Sequence, residues 1–430
     1  MSDTSLPQPI LSIVIATKNR IPYAVAAIQS ILAIDDPELQ LVIQDNSDSF
    51  ELQDFVRANV SDSRFRYRYT PPPFSSIDNF NAAVELATGE YVCLIGDDDG
   101  VNPEIMQAVR WVKENGLDAL KPKVDVTYLW PGVSVSSFAG ARIGGTMSVN
   151  HFSGRIRFPN IDLELRKLMG NGGQYYLETD LPRVYHGIVQ RDCLQRIRQL
   201  TGNYFGGLSP DIYAVTALST VTRRTAAIDY PLTIAGACPA STSADSTKGR
   251  DVGRLVDAPH FRDRHEYQWS EAVPKFYSVQ TIWADSALAA LQDLNRDELI
   301  RDFNIPMLAA HCVWAHPRYC GIVLRDMYRV FRRRRTSRIL GTLRFLGSVV
   351  SGPGWHFWRR IMNRLGNKIR GHNAQRMTGL TNISEATERM VAILRNRGCS
   401  FSACVAAHVP HTIPGPHSRP PVPRTERVSP

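Results

Sequence analysis

The sequence predicts an α/β protein built on a doubly wound, mostly parallel sheet. Two observations predict this fold: short apolar runs alternate with segments of helical periodicity over residues 8–120, and several of the apolar runs end in a polar cluster. A strand buried on both faces of a parallel sheet forms a continuous apolar run, and the helix after it returns the chain to the starting edge. Ligands of such sheets bind at the carboxyl ends of the strands. The polar clusters therefore mark the expected site.

The predicted elements follow in chain order. Strands are predicted over residues 11–16, 40–44, 65–69 and 90–95, the first of them a short apolar run rich in β-branched residues. The first helix begins near Pro22 and the last near Pro103, because a proline in the first helical turn loses no hydrogen bond. The helix between them covers residues 79–87 and is closed by Gly89. This alternation of strands and helices predicts the parallel sheet.

Composition limits the class of protein. The chain has 430 residues, 43% of them hydrophobic, so it can bury a large core. Its seven cysteines are scattered and form no Cys-x-x-Cys pair, which argues against a zinc ribbon or a disulfide scaffold and fits a reducing compartment. No apolar run reaches about 18 residues, and no basic stretch precedes the first apolar run, so neither a transmembrane helix nor a signal peptide is expected.

The net charge of +9 is concentrated in one segment. Residues 325–370 contain 13 Arg and Lys and one acidic residue, Asp326, which gives this segment +12 and the rest of the chain −3. Leu, Phe and Trp residues follow the four arginines at 332–335, a combination typical of an amphipathic stretch that lies on an anionic membrane. The alternative is a solvated basic face. Nucleic acid is not an expected partner, because no recognised binding motif accompanies the charge.

Asp97, Asp98 and Asp99 directly follow the apolar run that ends at Ile95. Three adjacent carboxylates at a buried strand end repel one another, and a cation relieves that repulsion. Oxygen ligands suit Mg²⁺ or Mn²⁺, which in proteins typically also contact the phosphates of a substrate. The alternative is an acidic turn that caps the next helix. Two further polar clusters, at 17–20 and 45–47, follow other predicted strands.

Four motifs in this region resemble family 2 glycosyltransferases with the GT-A fold, a Rossmann-like doubly wound sheet. They are SIVIATKNR at 12–20, VIQDNS at 42–47, DNFNAAVELATGEYV at 78–92 and GDDDG at 96–100. The resemblance is firm to Gly116 and looser to about residue 240. It implies a glycosyltransferase domain over 1–240, with a nucleotide-sugar-binding half (8–120) and an acceptor half (121–240). A loop and helical extension (241–320), the basic segment (321–372) and a mostly disordered Pro/Arg-containing tail (373–430) would follow.

The resemblance also implies roles in binding the donor nucleotide. Thr17 and Arg20 would line the nucleotide pocket, with Asn19 shaping the turn between them. Asp45 would accept a hydrogen bond from the base. The helix over 79–87 contributes two further candidates, which would face the nucleotide, hold the acidic loop or cap the helix: Asn79 and Asn81.

The acidic triplet would bind the metal and the sugar. By resemblance, Asp97 and Asp99 would hold Mn²⁺ or Mg²⁺ against the diphosphate of a UDP-, GDP- or dTDP-sugar, with Asp98 nearer the sugar. His260 and His265 are further candidate ligands by residue type alone.

An inverting transfer also needs a base for the acceptor hydroxyl. The family places an acidic residue at the start of a downstream helix, where this chain has Asp211, and Asp180 is the second choice. The alternative for Asp211 is a first-turn charge that favours the helix dipole. His186 would line the acceptor cleft or be structural, and Lys248 and Arg250 would close over the diphosphate or be solvated.

Together with these features, the resemblance implies a non-processive, metal-dependent, inverting glycosyltransferase of cell-surface polysaccharide biosynthesis. Its acceptor would be a glycan or a lipid-linked molecule, and it would be cytoplasmic or peripheral on the cytoplasmic face of a membrane. One alternative is a nucleotidyltransferase of related fold, although the turn at 17–20 lacks the glycines of a phosphate-binding loop. The other is a non-catalytic glycan- or membrane-binding module.

Overall fold

The computed structural model describes residues 8–137, 140–240, 252–258, 261, 264, 266–369, 374–409 and 415. Its larger sheet has eight strands in the order β11-β13-β6-β12-β4-β1-β2-β3. In chain order these strands are β1 (Leu11–Thr17), β2 (Leu39–Asp45), β3 (Phe65–Tyr69), β4 (Tyr91–Ile95), β6 (Ala119–Pro122), β11 (Ile156–Arg157), β12 (Ile188–Gln190) and β13 (Thr225–Ile228). The strands β3, β2, β1 and β4 run parallel, as do β6 and β13, whereas β12 and β11 pair antiparallel with their neighbours.

A smaller sheet of five strands lies beside the carboxyl end of β4. Its order is β15-β10-β7-β14-β5, and its strands are β5 (Gly100–Val101), β7 (Val126–Leu129), β10 (Thr146–Val149), β14 (Thr233–Ala237) and β15 (Gln375–Met377). A two-stranded ribbon joins β8 (Ser134–Ser137) to β9 (Gly140–Ile143).

Helices cover both faces of the larger sheet, which confirms the predicted doubly wound α/β fold. The helices of the first half are α1 (Ile21–Leu32), α2 (Glu51–Asn59), α3 (Ser76–Glu85), α4 (Ile105–Glu114), α5 (Ile161–Gly170), α6 (Arg191–Thr201) and α7 (Pro210–Val221). Alternate residues of β1 show the two faces. Ile13 and Ile15 pack into the hydrophobic cluster that contains α1 and α4, and Val14 packs into the cluster that contains α3, α6 and α7.

The second half of the chain is mainly helical. Its helices are α8 (Val279–Asp293), α9 (Asp297–Asp302), α10 (Ile305–Ala315), α11 (Cys320–Arg333), α12 (Arg338–Val349), α13 (Trp355–Ile369), α14 (Ile383–Asn396) and α15 (Phe401–His408), with a π-helical turn at Val350–Gly354 between α12 and α13. The helices α5, α7, α8, α10 and α11 share one hydrophobic cluster, so the helical extension packs against α5 and α7. Among the described residues, no helix is both long and apolar enough to cross a bilayer.

The observed elements differ from the sequence prediction in three places. The helix predicted over 79–87 begins at Ser76, because Ser75 accepts a hydrogen bond from the Asp78 amide and is its N-cap. The helix α2 is not predicted at all. The mostly disordered tail over 373–430 is wrong for 374–409, where β15, α14 and α15 form and α14 buries an apolar stripe in the main core. The rest of that tail lies outside the described residues apart from Gly415.

Candidate active site at the carboxyl edge of the sheet

The three polar turns predicted from the sequence meet at one edge of the larger sheet. Thr17, the last residue of β1, pairs with Asp45, the last residue of β2, and Ile15 pairs with Ile95 at the end of β4. The chain leaves β4 directly into Asp97–Asp99, called the acidic turn below. Its three residues are only 2–4% exposed. The parallel register thus brings the expected nucleotide-binding and acidic residues together.

Asp97 faces the first turn. Its Oδ2 accepts a hydrogen bond of 2.6 Å from the Thr17 hydroxyl, and its Oδ1 accepts one of 3.1 Å from the Arg20 guanidinium. The same guanidinium lies 3.9 Å from Asp98 Oδ1 and donates to the carbonyl of Ala240. Arg20 therefore links two carboxylates of the acidic turn to the chain that follows β14.

Asp99 faces the opposite way. Its Oδ2 accepts hydrogen bonds from the Gly96 amide (2.6 Å) and the Tyr185 hydroxyl (3.0 Å), and its Oδ1 accepts one from the Gly236 amide (2.7 Å). His186 Nε2 lies 3.4 Å from the same carboxylate. Asp97 and Asp99 share no hydrogen-bond partner among these contacts, so the two predicted metal ligands are held by different elements.

Residues in and directly after β14, together with Trp130, hold the acidic turn in place. The Cys238 amide donates to Asp98 Oδ2 (3.0 Å), and the indole of Trp130 donates to the Asp98 carbonyl (2.8 Å). Gly236 passes so close that a Cβ atom there would lie 1.8 Å from the Asp98 carbonyl oxygen. Only a glycine permits this approach, which fixes the path of the turn.

Burial makes the acidic turn electrostatically strained. It raises the pKa of both Asp97 and Asp99, and the neighbouring charge of Asp98 raises them further. The charge of Arg20 opposes the rise in the pKa of Asp97. At Asp99 the rise in pKa is opposed by neutral hydrogen-bond donors. The arrangement favours an added cation, because buried carboxylates in excess of their countercharges are costly.

The donor set suits a hard divalent cation. Carboxylate oxygens are the ligands that Mg²⁺ and Mn²⁺ prefer. The Arg20 guanidinium lies 3.1 Å from Asp97 and 3.9 Å from Asp98, so these two carboxylates already share one cationic partner. The described residues contain no group of three His, Cys, Asp or Glu side chains arranged around one point. The pairing of Asp97 with Asp99 as ligands stays a prediction, and His260 and His265 lie outside the described residues.

Asp45 and Asn19 organise the turns beside the acidic turn. Asp45 is fully buried, and its oxygens accept from the Ser47 amide (2.8 Å) and the Tyr67 hydroxyl (2.8 Å). Asn19 has a positive φ of 57° and exchanges two hydrogen bonds with Asp48, which joins the turn after β1 to the turn after β2. The roles predicted for Asn19 in the nucleotide site and for Asp45 in base recognition stay predictions.

The two asparagines of α3 have different surroundings. Asn79 donates to the Thr17 carbonyl (3.1 Å), and its own Oδ1 is buried without a hydrogen-bond partner. Asn81 lies away from the acidic turn: it accepts from the amides of Tyr204 and Phe205 and donates to the Phe205 carbonyl. Neither caps the helix. Asn79 thus supports the first turn, and Asn81 fixes the segment before α7.

Asp211 and Asp180, the two candidates for the base, differ in their partners. Asp211 lies half-buried in the first turn of α7, and burial raises its pKa to about 6 although Arg183 opposes the shift. Asp180 is held by Arg157 (2.8 Å) and Lys121 (3.2 Å), which lower its pKa despite burial. A base needs an available lone pair and a pKa near neutrality, so the environment favours Asp211.

Tyr185 is hydrogen-bonded to the acidic turn and lies in the electrostatic field of Asp211. Its hydroxyl donates to Asp99, and the charges of both Asp99 and Asp211 raise its pKa together with burial. His186 follows with a positive φ of 57°, and its Nδ1 lies 3.0 Å from the Thr233 hydroxyl. Burial lowers the pKa of His186 to about 3, so the ring is neutral beside Asp99.

Sequence reasoning missed several residues that hold the acidic turn. Tyr185 directly precedes His186 in the sequence. An aromatic hydroxyl beside a candidate histidine was the available signal. Gly236 and Cys238 act through backbone amides, and Trp130 through a distant indole; these contacts leave no local pattern in the sequence. Lys248 and Arg250 lie outside the described residues.

The larger sheet has helices on both faces and an acidic turn at its carboxyl edge. Comparisons with known proteins show which family it resembles. Residues 12–130 match the model of "Glycosyl transferase family 2". A segment of 97 residues is 37% identical to the Escherichia coli (strain K12) protein named "Putative colanic acid biosynthesis glycosyl transferase WcaA" and covers 22% of this chain. Residues 12–130, which include the acidic turn, are therefore similar to family 2 glycosyltransferases.

The likeness to the whole relatives is limited. The chain matches about a third (34%) of the length of the Escherichia coli protein. Among solved structures, residues 1–349 of S. aureus TarS in complex with UDP-GlcNAc give a TM-score of 0.41 at 13% identity over 76% of this chain and 93% of that one. Mannosyltransferase PcManGT from Pyrobaculum calidifontis, in complex with GDP-Man and Mn²⁺, gives 0.34 at 13% identity over 80% and 87%.

Proposed function

We propose that this protein is a metal-dependent, inverting glycosyltransferase that moves a sugar from a nucleotide-sugar donor to a glycan or lipid-linked acceptor in polysaccharide biosynthesis. The observation that carries the proposal is the buried acidic turn at the carboxyl edge of the sheet, with Thr17 and Arg20 in contact with it, inside the region that matches family 2. Such a turn is costly to the fold unless a cationic ligand uses it.

The donor would be held by the turns after β1, β2 and β4. Arg20 supplies a positive charge for the diphosphate and Asp45 an acceptor for the base, while Asp97, Asp98 and Asp99 are the candidate residues for Mn²⁺ or Mg²⁺. When bound, the metal ion would neutralise charge on the departing nucleoside diphosphate. Thr17 orients Asp97 through its hydroxyl, and Tyr185 and the Gly236 amide orient Asp99.

The acceptor would be activated by Asp211. Its carboxylate would take the proton of the acceptor hydroxyl while that oxygen attacks the anomeric carbon of the sugar. A pKa of about 6 leaves most of the carboxyl ionised at neutral pH and makes it a stronger base than an exposed aspartate. Direct attack from the face opposite the leaving group inverts the anomeric centre.

Calorimetric titration with nucleoside diphosphates and nucleotide sugars, with and without Mn²⁺, tests the donor site. We expect one nucleotide class to bind in a metal-dependent way, and Asp97→Asn to lose that binding at least about tenfold. Asp54→Asn, an exposed aspartate on α2, is the matched control and should bind normally. If no nucleotide binds to the wild type, the proposal is wrong.

Product analysis separates this proposal from the alternatives. A glycosyltransferase releases a nucleoside diphosphate from its donor, whereas a nucleotidyltransferase releases pyrophosphate from a nucleoside triphosphate, and a binding module releases neither. Asp211→Asn should retain donor binding and lose turnover, because it removes the base but none of the donor contacts. An Asp211→Asn protein that still transfers sugar at the wild-type rate would remove Asp211 from the mechanism.

A further inference from the structure

Helix α12 exposes its large apolar residues instead of burying them. Ile339, Leu343, Leu346 and Val350 recur at helical spacing on one face and are 56–77% exposed. The opposite face, which packs on the protein, carries the small buried residues Gly341 and Ser348. A surface helix of a water-soluble protein normally shows the reverse arrangement. The large apolar face of α12 is therefore directed away from the core.

Helix α13 continues this exposed apolar surface. Trp355, Trp358 and Met362 lie one turn apart on one face and are 58–62% exposed, and Phe357 is 53% exposed. Of the fifteen large apolar side chains that are exposed among the described residues, nine lie between 339 and 362. Scattered exposed apolar residues are ordinary, but a concentration of this kind indicates an interaction surface.

A groove lined by arginines opens beside the apolar face of α12. It lies between α11 and α12, has a volume of about 470 Å³ and is lined by Arg325, Tyr328, Arg329, Arg332, Arg338, Ile339 and Thr342. Ile339 therefore belongs both to the groove and to the apolar face. The groove joins a cluster of cations to an exposed apolar stripe.

The charges in the groove are only partly neutralised. Asp326 forms ion pairs of 3.1 Å with Arg325 and Arg329 and is the one acidic residue in the sequence from 325 to 370. Arg332 and Arg338 are exposed, and no ion pair is found for either among the described residues. Two guanidinium groups are thus available for an anion, and their planar donors suit the oxygens of a phosphate.

We propose that helices α11 to α13 form a docking surface for an anionic phospholipid membrane, in which a lipid phosphate enters the arginine groove and the apolar face of α12 and α13 enters the headgroup–acyl boundary. Charge complementarity selects this occupant, because a protein or a second copy of this chain would need an acidic surface to match twelve excess positive charges. Trp355 and Trp358 on α13 fit the interface between membrane and water, because an indole ring has an apolar body and a polar N–H group. The proposal is independent of the sugar-transfer activity.

Vesicle cosedimentation of the full chain tests the docking surface. The vesicles contain phosphatidylcholine alone or phosphatidylcholine with about 30% phosphatidylglycerol, which supplies the negative surface charge. We expect binding only to the anionic vesicles. The double variant Arg332→Gln/Arg338→Gln should bind about tenfold to thirtyfold more weakly, since each basic residue near such a surface contributes a factor of several. Leu343→Ser/Leu346→Ser should bind more weakly while keeping the salt dependence.

Matched variants separate this surface from a general effect of charge or hydrophobicity. Arg57→Gln/Arg66→Gln removes two exposed arginines elsewhere, and Leu163→Ser/Val256→Ser removes two exposed apolar residues elsewhere. Both controls should bind vesicles like the wild type. Equal losses in the control and test variants, or failure of the wild type to bind anionic vesicles, would overturn the proposal. So would full displacement by millimolar inorganic phosphate, which would make the groove a site for free phosphate.

Discussion

Asp211 and Asp180 are two carboxylates whose environments shift their pKa values in opposite directions. Burial raises the pKa of Asp211 to about 6, whereas Arg157 and Lys121 lower that of Asp180. The fold therefore disfavours the charge on Asp211 and favours the charge on Asp180. Catalytic acids and bases commonly have pKa values that the fold has shifted towards neutrality by disfavouring their charged form.

We expect Asp211→Asn to stabilise the protein at neutral and alkaline pH while abolishing sugar transfer. A raised pKa means that the wild type loses stability as the pH rises from the unfolded-state value of about 3.9 towards 6, and the asparagine variant does not. The gain above pH 7 should be about 1–2 kcal/mol, less than the full shift implies, because the side chain is half-buried. Urea unfolding at pH 4 and pH 8 measures it, and the two proteins should converge at pH 4.

Asp180→Asn is the control with the opposite sign. Its lowered pKa means that the wild type has extra stability above the unfolded-state value, which is lost as the pH falls, so the variant should be less stable at pH 8. A stabilised Asp180→Asn protein, or an Asp211→Asn protein that is destabilised at pH 8, would contradict the assignment of these environments.

Gly236 offers a second test at the scale of one residue. An added methyl group would meet the Asp98 carbonyl at 1.8 Å, so Gly236→Ala must displace the acidic turn or β14. We expect metal-dependent nucleotide binding to fall at least about tenfold and the free energy of unfolding to fall by about 1–3 kcal/mol. Calorimetry and urea unfolding measure both. Gly253→Ala is the control, because a Cβ there has no atom within 4 Å and should change neither quantity.

At the scale of elements, the sequence predicted the first half of the sheet well. The strands β1 to β4 lie within a residue or two of their predicted ends. Burial on both faces makes β1, β2 and β4 largely apolar runs, whereas β3, at the edge of the sheet, is a partly exposed strand in which aromatic residues alternate with arginines. The helix α2 was missed because it buries only Leu52 and Val56 among polar residues. The strand β14 holds the acidic turn across more than a hundred residues of chain, and pairing at that separation has no local signal.

The sequence of helix α14 contains apolar periodicity and an N-cap, two signals that predict a helix. Ile383, Ala386, Met390, Ile393 and Leu394 form a buried stripe at helical spacing. Asn382, the N-cap, accepts a hydrogen bond from the Glu385 amide (2.9 Å), a sequence pattern that marks a helix start. The Pro- and Arg-rich composition further along the tail led to the prediction of disorder. Periodicity and capping were the better guides for this stretch.

We expect α14 to contribute substantially to the stability of the main core. Met390 is fully buried in the hydrophobic cluster of the larger sheet, so Met390→Ala should lower the free energy of unfolding by about 2–4 kcal/mol. Urea unfolding at a single pH measures the change. Glu388→Ala, two residues away and exposed on the same helix, should change it by less than about 0.5 kcal/mol. Equal stabilities of the Met390→Ala variant and the wild type would mean that α14 is not part of the cooperative core.

At the scale of the whole molecule, the docking surface and the candidate active site are connected through one hydrophobic cluster. Ile212, next to Asp211 in α7, belongs to the same cluster as Phe331 at the end of α11. Helix α13 has a further attachment. The ring of His356 stacks on Tyr175 with centroids 3.7 Å apart, and Glu178 forms an ion pair with Arg359. The basic helices are therefore fixed to the segment that follows α5.

Glu178 is the residue through which this attachment can be tested. It pairs with Arg359 and lies 3.9 Å from Arg360 and 3.8 Å from His356, so Glu178→Gln removes the charge that faces all three. We expect faster amide hydrogen exchange in the first turns of α13, with a change in global stability below about 1 kcal/mol because the pair is partly exposed. Hydrogen-exchange mass spectrometry measures the local effect, and Glu298→Gln, which breaks a pair with Arg296 elsewhere, is the control.

Unchanged exchange in α13 would show that the aromatic stack alone holds the helix. Faster exchange together with normal vesicle binding would show that membrane docking depends on the exposed face of the helices and not on their attachment to the glycosyltransferase region.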